Sequence, residues 1–168
     1  MAVESRVKPA ALPLVRPARD NDRDLAELIG MSKALVTHEG GEASAYCNST
    51  STIRRELFHS NANVECHIAE TGGEIAGFIM FYPSFSSYNL CRAIFISGLY
   101  VKPEWRDQGI GTKLWNQATI YMQNNNIRHV SWLVSDGNSK AREFYTKMGA
   151  AMDGPWNYCV VRNSNYKE

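Results

Sequence analysis

Arg106-Asp107-Gln108-Gly109-Ile110-Gly111-Thr112 decides how the rest of the chain is read. Upstream, Cys91 to Val101 is an apolar run with the length of a buried strand, and Lys102 to Gln108 is a polar turn. Downstream, Leu114, Ala118, Tyr121 and Met122 recur at helical spacing and fade into Asn124-Asn125-Asn126. The heptapeptide therefore joins the end of a strand to the start of a helix. Its glycines let the backbone approach a ligand closely, and the N–H groups of a first helical turn have no partner inside the helix. With the positive helix end they suit a pyrophosphate, to which Arg106 adds charge. A dinucleotide fingerprint would need a third glycine where Leu114 stands. A P-loop would need glycine at Arg106 and lysine at Thr112. Neither fits. A tight turn that binds nothing would use the same two glycines.

Working outward, the elements alternate in type. Toward the N-terminus, Glu74 to Tyr82 and Val64 to Glu70 read as strands joined through Thr71-Gly72-Gly73, an antiparallel hairpin. Pro83 to Asn89 reads as a loop. Thr52 to His59 reads as a short helix capped by Ser51, with Ile53, Leu57 and Phe58 inward, and Glu42 to Thr50 as a polar loop. Before it, Leu25, Leu28, Ile29, Ser32, Leu35 and Val36 keep a helical period. Asp20 or Asp22 is expected to cap that helix and Gly40-Gly41 to stop it. Leu12 to Pro17 is a short strand, and residues 1–11 a flexible leader. Toward the C-terminus, Val130 to Val134 is a strand, Ser139 to Met148 a helix ending at Gly149, and Trp156 to Arg162 a last strand. Hairpins followed by strand–helix–strand–helix–strand predict an α/β (α+β) domain over residues 12–168. Its central sheet is mixed and mostly antiparallel, flanked by helices.

Bulk properties narrow the function. A chain of 168 residues fits one domain and hides roughly 70% of its unfolded surface. Lys plus Arg number 18 against 17 for Asp plus Glu, which argues against general nucleic-acid or anionic-membrane binding. Cys47, Cys66, Cys91 and Cys159 are widely spaced, and His38, His59, His67 and His129 form no metal spacing. Free thiols and no metal are expected. The N-terminal stretch has no apolar core of a signal peptide, and no run reaches the roughly 20 apolar residues of a membrane helix. These features predict a cytoplasmic protein.

On these residues the sequence resembles the GNAT superfamily of N-acetyltransferases, whose acetyl-CoA motif is Q/R-x-x-G-x-G/A. Arg106, Gly109 and Gly111 match it, and Gly98 to Arg106 looks like that family's central strand and entry turn. Asn138 to Ala150 looks like its N-x-x-A-x-x-F-Y-x-x-x-G-[FA] segment. The layout of Phe78 to Tyr82 followed by a Ser/Tyr-rich loop is most similar to the spermidine/spermine (diamine) acetyltransferases. There is one departure. Those enzymes carry an acidic pair in the central strand, where this chain has Ser97-Gly98; the carboxylate most often credited with relaying the amine's proton is gone.

The resemblance implies acetyl transfer from acetyl-CoA to a small primary amine such as a polyamine, diamine or amino acid. A protein N-terminus or lysine is the alternative acceptor, and a CoA-binding sensor without turnover the alternative of another class. It implies backbone contacts to pantetheine from Leu99 and Val101, and a bulge at Gly98 that splays the central strand and frees an N–H, that of Leu99 or Tyr100, for the thioester oxygen. The pyrophosphate falls to Arg106 and the turn Asp107, Gln108, Gly109, Ile110, Gly111 and Thr112. Asn138, Lys140 and Ala141 supply further cofactor contacts, and Tyr145 is the candidate acid for the departing sulfur. The base is open among Glu39, Glu42 and a water on Ser97; with Tyr82 these are the candidate acceptor residues, and Phe85, Tyr88 and Trp156 could add apolar walls. Relatives are often homodimers, and a strand ending near Val161 could pair across a two-fold axis.

Overall fold

The computed structural model describes residues 12–42 and 49–151. The expected leader, the strand Trp156–Arg162 with Val161, most of the Glu42–Thr50 loop, Cys47 and Cys159 lie outside them. The chain divides into two compact units, Met1–Trp132 and Leu133–Glu168.

Among the described residues, the first unit holds β1 (Leu14–Pro17), α1 (Asp22–His38), α2 (Thr50–Phe58), β2 (Glu65–Thr71), β3 (Glu74–Ser86), β4 (Cys91–Val101), α3 (Ile110–Asn124) and β5 (His129–Trp132). The strands form one sheet in the order β1-β2-β3-β4-β5. Every pairing is antiparallel except β4 with β5, which is parallel and joined through α3. This is the mixed, mostly antiparallel sheet that the pattern predicts.

Alternation along the strands sorts side chains to two faces. Phe78 and Tyr100 pack on one face with Leu28 and Met31 of α1, and Met80 and Leu35 border that cluster. Phe81, one residue out of phase, meets Tyr121 of α3 edge-on at 5.3 Å on the other face. Trp132 of β5 meets Trp115 of α3 at 5.1 Å. Fully burying side chains of this kind stabilises by about 1.5–3 kcal/mol each.

The start of α1 is fixed by charge. Arg16 of β1 clamps buried Asp24 with hydrogen bonds of 2.7 and 3.1 Å and reaches Glu70 of β2 at 3.0 Å. Burial opposes the Asp24 charge, but the Arg16 guanidinium and the Arg19 N–H outweigh it and hold the carboxyl below its ordinary range.

Several expected boundaries shift. Asn21, not Asp20 or Asp22, caps α1, accepting from the Asp24 N–H; Asp20 and Asp22 instead bind Arg54 of α2. Ser49, not Ser51, caps α2, which starts at Thr50. β1 begins at Leu14 rather than Leu12, and β5 spans His129–Trp132 rather than Val130–Val134. The expected loop from Pro83 is strand as far as Ser86, with Pro83 opposite Ile94. The β2 pairing ends at Phe81, so beyond it β3 has one neighbour, and an edge tolerates proline.

In the second unit, α4 (Ser139–Lys147) is capped by Asn138, whose side chain accepts from the Ala141 N–H at 3.1 Å. Its end is a Schellman closure: Gly149 N–H to Thr146 O and Ala150 N–H to Tyr145 O, both 3.0 Å.

Candidate active site

The turn after β4 is built as the sequence implies, and its backbone is unusual. Asp107 and Gly109 both sit at positive φ, 60° and 74°. Gly109 is the N-cap of α3 and offers no side chain to the first turn. By contrast α1, α2 and α4 are each capped by a side-chain oxygen, from Asn21, Ser49 and Asn138. The opening N–H groups of α3 thus lack the acceptor the other helices receive, at a turn where Asp107, Gln108 and Gly109 are exposed. Arg106, at the start of this turn, is tied back to β4: its Nε donates to Val101 O at 3.0 Å, and its guanidinium lies 5.8 Å from the Tyr100 ring centre. Backbone donors, a positive helix end and a positioned guanidinium fit a pyrophosphate.

The central strand is bulged where Gly98 predicts. Gly98 lies opposite Met80 and Ile96 opposite Phe81, so Ser97 is the extra residue. The Ser97 hydroxyl donates to Met80 O at 3.2 Å. Beyond the bulge β4 has no β5 partner, since that pairing ends at Ile96 with Trp132. Lys102 N–H donates to Ala76 O of β3. By alternation Tyr100 also faces β3, whereas Leu99 and Val101 turn their N–H and C=O groups to the side that β5 has vacated. The observed Arg106–Val101 O bond lies on that side. A ligand chain can pair there as an added strand.

α1 approaches the same stretch of β4. Lys102 binds Glu27 at 2.7 Å, and a Cβ on Gly98 would stand 3.4 Å from Leu35 Cδ2. Eight helical residues and four strand residues both span about 12–13 Å, so α1 runs alongside β4 in the opposite sense. One further turn carries Glu39 about 6 Å past Leu35, level with Ser97 and Ile96. Glu39 is exposed at the end of α1, yet partial desolvation pushes its carboxyl above the ordinary value, and His38 opposes this. Glu42 is also exposed and lies three residues beyond, outside the helix.

In the second unit Tyr145 is buried and meets Phe144 edge-on at 5.3 Å. Asn138 spends its side-chain oxygen, and Ala141 its N–H, on the cap of α4. Lys140 is exposed. Among the described residues, no three His, Cys, Asp or Glu side chains cluster as a metal site, and no helix is long and apolar enough to cross a membrane.

The profile of the Acetyltransferase (GNAT) family matches residues 23–150. The chain belongs to that family. An uncharacterized N-acetyltransferase, YhfO of Bacillus subtilis, is 35% identical over 94 residues, 55% of this chain and 63% of that protein. The chain thus spans less than two thirds of this relative's length. A thialysine N-epsilon-acetyltransferase of Sus scrofa is 27% identical over 145 residues, covering 82% and 83% of the two chains. Among solved structures, AAC(6')-Iy in complex with the bisubstrate analog CoA-S-monomethyl-acetylneamine aligns with TM-score 0.71 at 18% identity, covering 91% of this chain and all of that one (100%). That likeness bears on the fold.

Sequence reasoning missed two residues that pack beside the bulge. Leu35 was read only as core, although it reaches Gly98. Phe95 pairs with Tyr82, at 5.6 Å between ring centres. Ending β3 at Tyr82 hid that register; the alternation beyond Pro83 would have revealed it.

Proposed function

We propose that the protein transfers the acetyl group of acetyl-CoA to a primary amine of a small molecule, by direct attack in a ternary complex. The observation that carries this is the uncapped start of α3, directly after a bulged strand whose Leu99 and Val101 groups face an open edge. Acetyl-CoA supplies the thioester. In this reading the N–H groups from Asp107 to Thr112, with Arg106, hold the pyrophosphate, while Leu99 and Val101 align the pantetheine arm; Tyr100, whose backbone pairs with β3, does not. Lys140 and the Asn138 amide nitrogen add cofactor contacts at the start of α4; the Ala141 N–H is already taken by the cap. An N–H freed by the Ser97 bulge donates to the carbonyl oxygen as it gains negative charge.

Alkylamines hold their proton up to about pH 10.4, so the acceptor must lose it before attack. Glu39, level with the bulge, anchors the ammonium and accepts that proton directly or through water. Ser97 and Glu42 remain within the same acceptor region. Tyr145 protonates the departing thiolate. The catalytic domain spans residues 12–168, works in the cytoplasm, where the free thiols of Cys66 and Cys91 persist, and assembles as a homodimer.

The test is acetyl-CoA-dependent thiol release with spermidine, putrescine, lysine, thialysine and lysine peptides, alongside calorimetry with acetyl-CoA. Turnover of a free amine supports the reading, and turnover of peptides alone reassigns the acceptor. Binding without turnover supports a sensor. In Tyr145→Phe, kcat should fall by about 10²-fold or more with acetyl-CoA affinity retained; a change of only a few-fold removes the acid role.

A further inference from the structure

The acceptor side has a chemical character of its own. Met80 borders the apolar cluster under α1, and Tyr82, two residues on, comes to the same face. Phe95, opposite Tyr82 in register, shares that face, and the rings meet at 5.6 Å with a 38° tilt. Tyr82 nevertheless keeps 37% of its surface in contact with solvent. The pair follows directly on the Ser97–Gly98 bulge, on the face where Leu35 meets Gly98. Moving from the bulge, one side therefore offers a carboxylate at the level of Glu39, and the strands offer two partly open aromatic rings.

Charge sharpens this. The stretches Met80–Ser86, Cys91–Gly98 and His129–Trp132 contain no Asp or Glu. Their one strongly basic side chain, Arg92, is tied to Asn125 O at 2.7 Å. A polyamine carries several ammonium groups and needs a carboxylate for each one it brings out of water. These strands supply none for a second cation, and they do supply aromatic surface for an apolar body.

We infer that the preferred acceptor is a primary amine on an aryl or similarly apolar tail, with its nitrogen near Glu39 and its tail against Tyr82 and Phe95. This inference rests on the acetyltransferase reading above and names the substrate class of the same site.

The experiment compares 2-phenylethylamine, putrescine, spermidine and ethylamine as acceptors with acetyl-CoA. The expected kcat/KM for 2-phenylethylamine exceeds that for putrescine by about tenfold or more, the scale of filling an apolar pocket. Tyr82→Ala should lower the 2-phenylethylamine value about tenfold, mainly through KM, with a loss several times larger than for ethylamine, whose tail is too short to reach the rings. Phe95→Leu should reproduce that imbalance if Tyr82→Ala melts at lower temperature. Preference for putrescine or spermidine, or equal losses for both tested amines, overturns the inference and leaves the transferase standing. No turnover of any amine, with acetyl-CoA still bound, overturns both.

Discussion

In the proposed reading, the turn after β4 and the end of α1 would each hold one reactant, with different materials. The turn works through backbone: Gly109 caps α3 without a side chain, and Asp107 and Gly109 take positive φ to aim successive N–H groups outward. The end of α1 works through side chains brought in from afar. Glu39 and Ser97 are 58 positions apart in sequence and share a level because α1 runs along β4, anchored at one end by Glu27 with Lys102. A backbone site constrains which residues can stand in it. A side-chain site constrains only where they arrive, so its chemistry is free to change while the fold persists.

The sharpest way to break this contrast is Gly109→Val. At φ 74° a β-branched residue enters the left-handed region, which costs about 1–2 kcal/mol even for ordinary residues. A turn that relaxes to relieve this re-aims at least two N–H donors. Each charge-assisted hydrogen bond contributes about 1.5–3 kcal/mol, so acetyl-CoA affinity should fall about 100-fold or more by calorimetry. Affinity within threefold of wild type would mean the backbone cradle is not the binding element.

A second substitution asks whether the acceptor side can be returned to an acidic strand. A Cβ at Gly98 would stand 3.2 Å from the Phe78 ring and 3.4 Å from Leu35, so Gly98→Asp must displace packed apolar groups. The expected penalty is about 1–3 kcal/mol in thermal unfolding. A variant as stable as wild type would show that this glycine reflects substrate chemistry alone.

These two glycines also mark what the sequence makes legible. The strand–turn–helix around Gly109 is read correctly because the flanking periods change from strand to helix. The β2–β3 hairpin is read through Gly72-Gly73, and the end of α4 through Gly149, since a turn or a terminal glycine is local chemistry; the Asn138 cap of α4 emerges only from the structure. Errors fall where distant residues decide. Asp20 and Asp22 look like caps, but Arg54, more than thirty residues on, claims both carboxylates. Pro83 looks like a strand end until the sheet order shows that β2 has already stopped. That misreading hid the Tyr82–Phe95 pair. The acceptor carboxylate stays open between Glu39 and Glu42 in sequence, because which one lies level with the bulge follows from the path of α1.

Glu39 gives the smallest and most discriminating effect. Its carboxyl is raised by desolvation, with His38 opposing. A folded value above the unfolded one means the group's favourable contribution is present below the unfolded value and is lost as pH rises through the folded one. At neutral pH the charged Glu39 therefore works slightly against folding. Glu39→Gln should leave the melting temperature unchanged near pH 4 and raise it by no more than about 1–2 °C at pH 7, since the side chain is exposed and screened. A solvated surface carboxylate with no role would show the same small gain and nothing else. A carboxylate that anchors or deprotonates the amine must also lower kcat/KM, by about tenfold, less than a fully buried base supplies. Its acidic limb, displaced above the usual carboxylate range in wild type, should disappear from the pH profile in the variant. If the limb persists while the stability gain is seen, proton transfer belongs to Ser97 or Glu42, and the acceptor side is organised by the bulge rather than by α1.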